Sequence, residues 1–427
     1  MSKLKNAIVG QSGGPTAVIN ASLAGVISRY LDMENHGIVY GAVNGIKGIL
    51  RDDTIVLNDI FESEENIDLL KQTPSYYLGS CRYKLSADSD EEIKKIIYLF
   101  DEKDFGYFFY IGGNDSMDTV MKLSQACKDK DIKVIGVPKT IDNDLKSTDH
   151  CPGYGSCAKY IATTISEMSQ DAGCYDIKNV LIVEIMGRNA GWLTASAALA
   201  RTEKKSAPDL IYLPERAFDD EKFLYDIRQK LLTQDTVIVA VSEGIKYADG
   251  TYIAEDSKGS KKDMFGHGQL GGAGKKLEYL VKKRLGIKVR SVELNIPQRC
   301  SAHNVSLTDV NEAFGCGSFA VDSAIGGETG KMISMKRADG DTYKIEYECM
   351  SISDIANGEK IVPDEFITPS GNDVTDEFIK YAFPLIQGER EVKFKNGIPI
   401  IFRDKYVIVK LRAYLTDMLS YFFDILF

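Results

Sequence analysis

Short apolar, β-branched runs alternate along the chain with longer stretches of helical periodicity: NAIVG (6–10), IVYGAV (38–43), YFFYIGG (107–113), KVIGVP (133–138), NVLIVEIMG (179–187), LIYLP (210–214) and TVIVAVSEG (236–244). Runs this short and this uniformly apolar suit strands buried on both faces, as happens when helices cover a parallel sheet above and below. The pattern predicts a doubly wound α/β architecture. Ligands in such folds gather at the carboxyl ends of strands. Five runs end there in glycine and polar residues: GQSGGPT, GGNDS, VPKTIDND, IMGRN and VSEG.

With 427 residues, 44% of them hydrophobic, the chain can build two cores. No Pro- or Ser-rich linker divides it, so the two domains are expected to interleave. The formal charge of −10 argues against a nucleic-acid or anionic-membrane surface, so residues that bind anions must be gathered locally. The eight cysteines, at 81, 127, 151, 157, 174, 300, 316 and 349, form no CxxC pair or zinc spacing and read as reduced structural thiols. MSKLKNAIVGQSGG enters a strand pattern at once, without a signal-peptide apolar region, so a cytoplasmic protein is expected. YLTDMLSYFFDILF (414–427) is too short to span a membrane and is interrupted by Asp417 and Asp424. It reads as a docking helix or subunit contact. The Gly/Lys-rich stretch SKGSKKDMFGHGQLGGAGKK (257–276) has the composition of a loop bordering a cleft.

The strand ends carry candidate chemistry. In GQSGGPTAVINASL (10–23), Gly13 and Gly14 sit between strand and helix, with Thr16 as a helix N-cap, a turn whose N–H groups suit an anion or make a plain tight turn. The loop of VPKTIDNDL (137–145) gathers Lys139, Thr140, Asp142 and Asp144. An acid beside a lysine suits phosphoryl transfer: the acid takes the hydroxyl proton while the cation draws charge off the phosphoryl oxygens. The rival reading is a solvated turn of self-bonded Asx side chains. Arg188 after Met186-Gly187 is a phosphate fork at a strand end, or a surface arginine paired with an acid. Glu243 would accept sugar hydroxyls or cap a helix, and Arg290 and Arg299 are two further guanidinium forks in an acidic chain.

In this order, GGPT, LGSCR, GGNDS, PKTIDND, MGR, SEG and R-x8-R resemble the phosphofructokinase family over roughly residues 5–390, with PKTIDND and MGR the specific elements. The resemblance implies two interleaved doubly wound α/β domains with the active site in the cleft between them. Residues 1–150, completed by about 300–360, would bind the phosphate donor, 151–299 the sugar phosphate, and 390–427 would be an extension of unassigned role. By the same resemblance Asp142 accepts the proton of the sugar 1-hydroxyl. Thr140, Asp144, Met186, Gly187, Arg188 and Glu243 contact the sugar phosphate. Arg290 and Arg299 hold the 6-phosphate of fructose 6-phosphate, some arginines reaching across from a neighbouring subunit of a homodimer or homotetramer. Gly13, Gly14, Arg82, Gly113, Asp115 and Lys139 fall on the donor side, Lys139 and Asp115 counting with Asp142 as catalytic, and the cofactor is Mg²⁺, with Asn114 as the candidate metal ligand.

ATP-using relatives carry glycine at the positions of Asp115 and Lys139. An acid at 115 would repel a nucleotide's α-phosphate, and a lysine at 139 would neutralise pyrophosphate, so the pair resembles the pyrophosphate-dependent branch. The implied activity is a reversible glycolytic transfer from diphosphate to fructose 6-phosphate. The rivals are an ATP-dependent phosphofructokinase, a non-catalytic regulatory subunit of the same fold and, less well matched, a lipid or NAD kinase. Three positions depart from the family pattern: Asn114, where many relatives hold Mg²⁺ with an aspartate; Asn179, at a basic cross-subunit position; and Ile296, where ATP-type relatives have histidine.

Overall fold

All seven apolar runs form strands in the computed structural model, which describes residues 3–85, 90–202, 207–254, 272–340, 342–355 and 358–403. Four of them lie in the first sheet and three in the second, joined by strands the pattern did not single out. The first sheet contains β1 (Asn6–Gln11), β2 (Val39–Ala42), β3 (Thr54–Val56), β4 (Phe105–Gly112) and β5 (Lys133–Pro138). Late in the chain β10 (Lys331–Arg337) and β11 (Ile345–Ser351) return to it, giving the order β11-β10-β5-β4-β1-β2-β3. The second sheet, ordered β7-β8-β6-β9, is built from β6 (Asn179–Ile185), β7 (Leu210–Tyr212), β8 (Thr236–Ser242) and β9 (Lys288–Glu293).

The seven runs are β1, β2, β4 and β5 of the first sheet and β6, β7 and β8 of the second. The inner strands pair in parallel, as uniform apolarity requires, whereas β2 with β3 and β10 with β11 pair antiparallel. In the outer strand β11, half-buried and exposed residues alternate over 345–349, as in an antiparallel strand with one face covered more than the other. Period-2 patterning in so short a run does not stand out beside the central strands.

Side-chain alternation divides each sheet's apolar residues between two layers. Along β4, Phe109 and Ile111 pack with Ile19, Leu23 and Ile27 of the helix Ile19–Leu31, whereas Phe108 and Tyr110 face Phe100 and Met117. Along β6, Val183 and Ile185 pack with Ile161 and Ile165 of the helix Tyr154–Ala172, and Val180 and Ile182 face Phe223 and Leu277. With both faces covered, the free positions are the strand ends, where the polar turns lie.

The chain crosses between the sheets late. The helix Asp376–Ala382 sends Phe378 into the core of the second sheet, and a hairpin of Phe394–Lys395 and Ile398–Pro399 docks on the first. There Gln72 Nε2 donates to the carbonyls of Lys393 and Ile400, each at 2.9 Å. Residues 404–427 and most of the 257–276 stretch lie outside the described residues, so the readings made on them have no structural counterpart. All eight cysteines are free, five of them buried. No helix among the described residues is long and apolar enough to cross a membrane.

Candidate active site

Four turns at strand ends meet in the cleft between the sheets. After β1 the chain turns through Gly13, whose φ of +81° is a left-handed conformation that L side chains resist. A Cβ there would stand 3.1 Å from Lys139 Nζ. The helix that follows starts at Ile19, so Thr16 is not its N-cap; its hydroxyl accepts from the Val18 N–H at 3.3 Å instead. The turn spends two more residues than the spacing suggested, which keeps Gly13 and Gly14 clear of the helix. Tyr76 and Ser80 hydroxyls both donate to the Gly13 carbonyl.

β5 delivers Lys139, which is 2% exposed, and its ammonium donates to the Gly14 carbonyl at 2.7 Å. Burial lowers its pKa to about 8, partly offset by the nearby charges of Asp142 and Asp144. The loop beyond is pinned by Thr140 Oγ1, which accepts from the Asp142 N–H at 3.1 Å, and by the left-handed Asn143, whose Oδ1 accepts from the Cys151 N–H at 3.0 Å. Asx chemistry is therefore present, but it braces a buried loop and not a solvated one. Asp142 is the most telling group. Burial, with Asp144 and Glu243 adding negative charge, lifts its pKa to about 7 against the pull of Lys139 and Arg299. A carboxyl poised there can take a proton near neutral pH.

On the other wall, Gly187 has φ +132°, and a Cβ on it would stand 2.7 Å from the Ala190 carbonyl. Three side chains fasten the turn: Gln298 Oε1 accepts from Met186 N–H, Glu243 Oε1 from Gly187 N–H, both at 3.2 Å, and Ser242 Oγ donates to the Gly187 carbonyl at 2.6 Å. Glu243 thus serves the turn and caps no helix. Burial raises its pKa, while the charges of Arg188 and Arg299 lower it. Arg299 closes the cleft: its Nη1 lies 3.8 Å from where a Gly14 Cβ would be, and its buried Nε has no hydrogen-bond partner among the described residues. An unpartnered guanidinium nitrogen beside a glycine turn suits an anion.

Three residues stand apart. Asp115, in the first turn of the helix Asn114–Ala126, is 55% exposed at its side chain and lies 3.6 Å from Lys84. An ion pair this exposed is worth at most about 1 kcal/mol. Repulsion of a second anion by Asp115 would likewise lie nearer ~1 than ~4 kcal/mol at 4 Å, because solvent screens it. In this single chain the low-dielectric argument holds for Lys139 and not for Asp115. Arg82 is exposed, with its charge felt by Tyr76. Arg290 is not brought to the cleft: it lies on β9 opposite Leu181, exposed at the sheet's edge beside Tyr175 and Lys288. Of the departing positions, Asn179 is buried, with its amide donating to Thr236 Oγ1 at 2.9 Å, and Ile296 is 56% exposed.

Among the described residues no three His, Cys, Asp or Glu side chains converge as a metal cage. Asn114 nevertheless fits a hard cation: its amide donates to Asp144 Oδ2 at 3.2 Å while its buried Oδ1 has no hydrogen-bond partner among the described residues. One amide oxygen and an adjacent carboxylate are a usual protein share for Mg²⁺, with phosphate and water oxygens completing the shell. A cavity of 610 Å³ at the opposite end of the second sheet is lined by Asp176, Asp209 and Asp235, with no lysine or arginine among the described residues that line it.

The phosphofructokinase family model matches residues 6–293. The chain belongs to the phosphofructokinase family. Among curated proteins, one from Halomonas elongata named pyrophosphate–fructose 6-phosphate 1-phosphotransferase is 40% identical over 92% of this chain and 94% of its own length. One of the same name from Methylococcus capsulatus is 39% identical over 92% and 94%. Among solved structures, a pyrophosphate-dependent phosphofructokinase from Nitrosospira multiformis superposes with a TM-score of 0.85 at 38% identity, covering 94% of this chain and 96% of that one. This phosphofructokinase-family chain also uses site residues that spacing did not reveal. Tyr76, Ser80 and Gln298 act through carbonyl and N–H groups of glycine turns, and no sequence periodicity marks such partners.

Proposed function

We propose that this phosphofructokinase-family protein is a cytoplasmic, homo-oligomeric diphosphate:fructose-6-phosphate 1-phosphotransferase. The observation that carries the reading is the buried Lys139 ammonium on the Gly14 carbonyl, in one cleft with the perturbed Asp142 carboxyl. The two related enzymes named above, matched over nearly their full lengths, support the same donor and acceptor.

In the forward direction the sugar 1-hydroxyl oxygen attacks the terminal phosphorus of diphosphate as its proton passes to Asp142. The bond from that phosphorus to the bridging oxygen breaks, and orthophosphate leaves with the electron pair. Lys139 and the Gly13–Gly14 turn hold the donor, Gly113 borders it, and the lysine draws charge from the transferring oxygens. Arg82 assists at the mouth. Arg188 and Arg299 hold the sugar phosphate, Thr140, Met186, Gly187 and Glu243 shape its bed, and Arg290 serves a neighbouring subunit. Asn114 and Asp144 would hold Mg²⁺, which when bound neutralises donor oxygens.

The test is donor kinetics on purified protein with fructose 6-phosphate, Mg²⁺ and either diphosphate or ATP. Diphosphate should be turned over faster; a preference for ATP would reverse the donor assignment, and binding of sugar phosphate without turnover of either would make the chain a regulatory subunit. In Asp115→Gly/Lys139→Gly, diphosphate use should fall by about 10²-fold, the scale set by losing a charge-stabilising donor, and some ATP use should appear. An unchanged donor preference would refute the role given to these two residues.

A further inference from the structure

Residues 358–362, which no motif marks, run as a strap between the two walls of the site. On the donor side Glu359 bridges antiparallel to Leu145, and the Lys360 N–H donates to the Asp144 carbonyl at 2.8 Å. The Lys360 ammonium turns into the same loop. It donates to the carbonyls of Asp149 at 2.8 Å and Thr148 at 3.1 Å, with Asn143 Oδ1 at 3.5 Å, and lies 5.2 Å from the Trp192 ring. On the sugar side the Lys360 carbonyl accepts from the Trp192 indole at 2.8 Å. Glu359 Oε1 accepts at 2.9 Å from Asn189, the neighbour of Arg188. The Val362 and Gly191 N–H groups share Glu215 Oε1 at 3.0 and 2.8 Å.

A buried ammonium is costly unless its protons are used. Here they are spent on carbonyl and amide oxygens of the segment 143–149, and no carboxylate lies within ion-pair reach among the described residues. Burial lowers the Lys360 pKa, opposed by Cys151, Asp149 and Asp144. The loop carrying Asp142 therefore has its path defined from beneath by one side chain, and that side chain's own backbone is hydrogen-bonded to the opposite wall. Asn143 is caught between Lys360 and the Tyr381 hydroxyl, to which its amide donates at 2.9 Å.

We propose that Lys360 is a positioning residue for phosphoryl transfer: it fixes the 140–149 loop so that the Asp142 carboxylate meets an acceptor held by the Gly187–Arg188 turn. The inference rests on reading this cleft as the phosphotransferase site. Lys360 touches neither substrate, so its loss acts through loop geometry. A displacement of about 1 Å at a reacting group costs on the order of 10²-fold in rate, whereas phosphate binding by the arginines and Lys139 is left in place.

The experiment is steady-state kinetics of full-length protein with diphosphate, fructose 6-phosphate and Mg²⁺. Wild-type protein inactive with diphosphate would sink the reading of the site and leave the strap without a reaction to serve. With active wild type, Lys360→Met should lower kcat by roughly 10²-fold while both KM values stay within about threefold, the pattern of a group that acts only in the transition state. Retention of more than half of kcat, or a loss confined to KM, would overturn the proposal. Should Lys360→Met show no cooperative unfolding transition, Trp192→Phe decides: it removes the indole donor to the Lys360 carbonyl and keeps an aromatic ring beside the ammonium. It should lower kcat about tenfold at unchanged KM, and an unchanged kcat would overturn the proposal.

Discussion

The chemistry of the cleft depends on two protonation states that overlap only narrowly. Asp142 accepts a proton only when ionised, and its pKa is lifted to about 7 by burial and by the neighbouring acids Asp144 and Glu243. Lys139 draws charge from the donor only as an ammonium, and burial lowers its pKa to about 8. Below the first value the base is blocked, and above the second the cation is lost. The forward kcat/KM should therefore trace a narrow bell with its maximum between these two values. Asp142→Asn should lower kcat by about 10³-fold or more, while Lys139→Met should remove the alkaline limb and leave the acidic one. A wild-type profile flat from pH 6 to 9, measured at constant ionic strength, would contradict the assigned roles (about three units of pH being ample to reveal both limbs).

At the scale of elements, the loop after β5 is anchored to the helix Leu307–Ile325 by a buried triad. His150 hydrogen-bonds Asp149 and, at 2.7 Å, Glu312, which also accepts from Tyr343 at 2.5 Å. Burial pulls the His150 pKa down, but Glu312 and Asp149 outweigh it and leave it near 9, above the ordinary 6.5. A pKa raised by folding means stability that is fully present below about pH 6.5 and is lost as pH rises through about 9. The melting temperature should fall by about 2–4 °C across that window in wild type and by less in Glu312→Gln, read by calorimetry. An equal fall in both would exclude the triad as its source. This anchorage was not legible in the sequence, since residues 150 and 312 belong to elements joined only by the return of the chain to the first sheet. The central strands were legible because double burial makes a run uniformly apolar. β3, β9, β10 and β11 were not, because strands at or near an edge mix polar with apolar positions. Lys139, Asp142, Arg188 and Glu243 announced themselves by standing at strand ends, whereas Lys360 lies in an irregular strap whose function depends entirely on what folds above it.

For the whole molecule, the unmet question is where Arg290 acts. On β9 it is exposed, next to Tyr175 (53% exposed) and Val292 (37% exposed), at the open edge of the second sheet. Exposed strand edges with apolar neighbours are suited to pairing with another copy. If Arg290 completes the sugar-phosphate pocket of an adjoining subunit, catalysis and phosphate binding belong to different chains. Asp142→Asn and Arg290→Ala would then each be crippled alone yet complement each other. In a hybrid dimer one site has both defects and the other has neither. Random mixing makes half of the dimers hybrids, each with one intact site of two, so about a quarter of wild-type activity should return after dissociation and reassociation. Recovery confirmed by rate at saturating substrates would establish shared sites. If the mixture shows only the mean of its parents, while sedimentation shows subunit exchange, then each chain builds its site alone and Arg290 has no part in it.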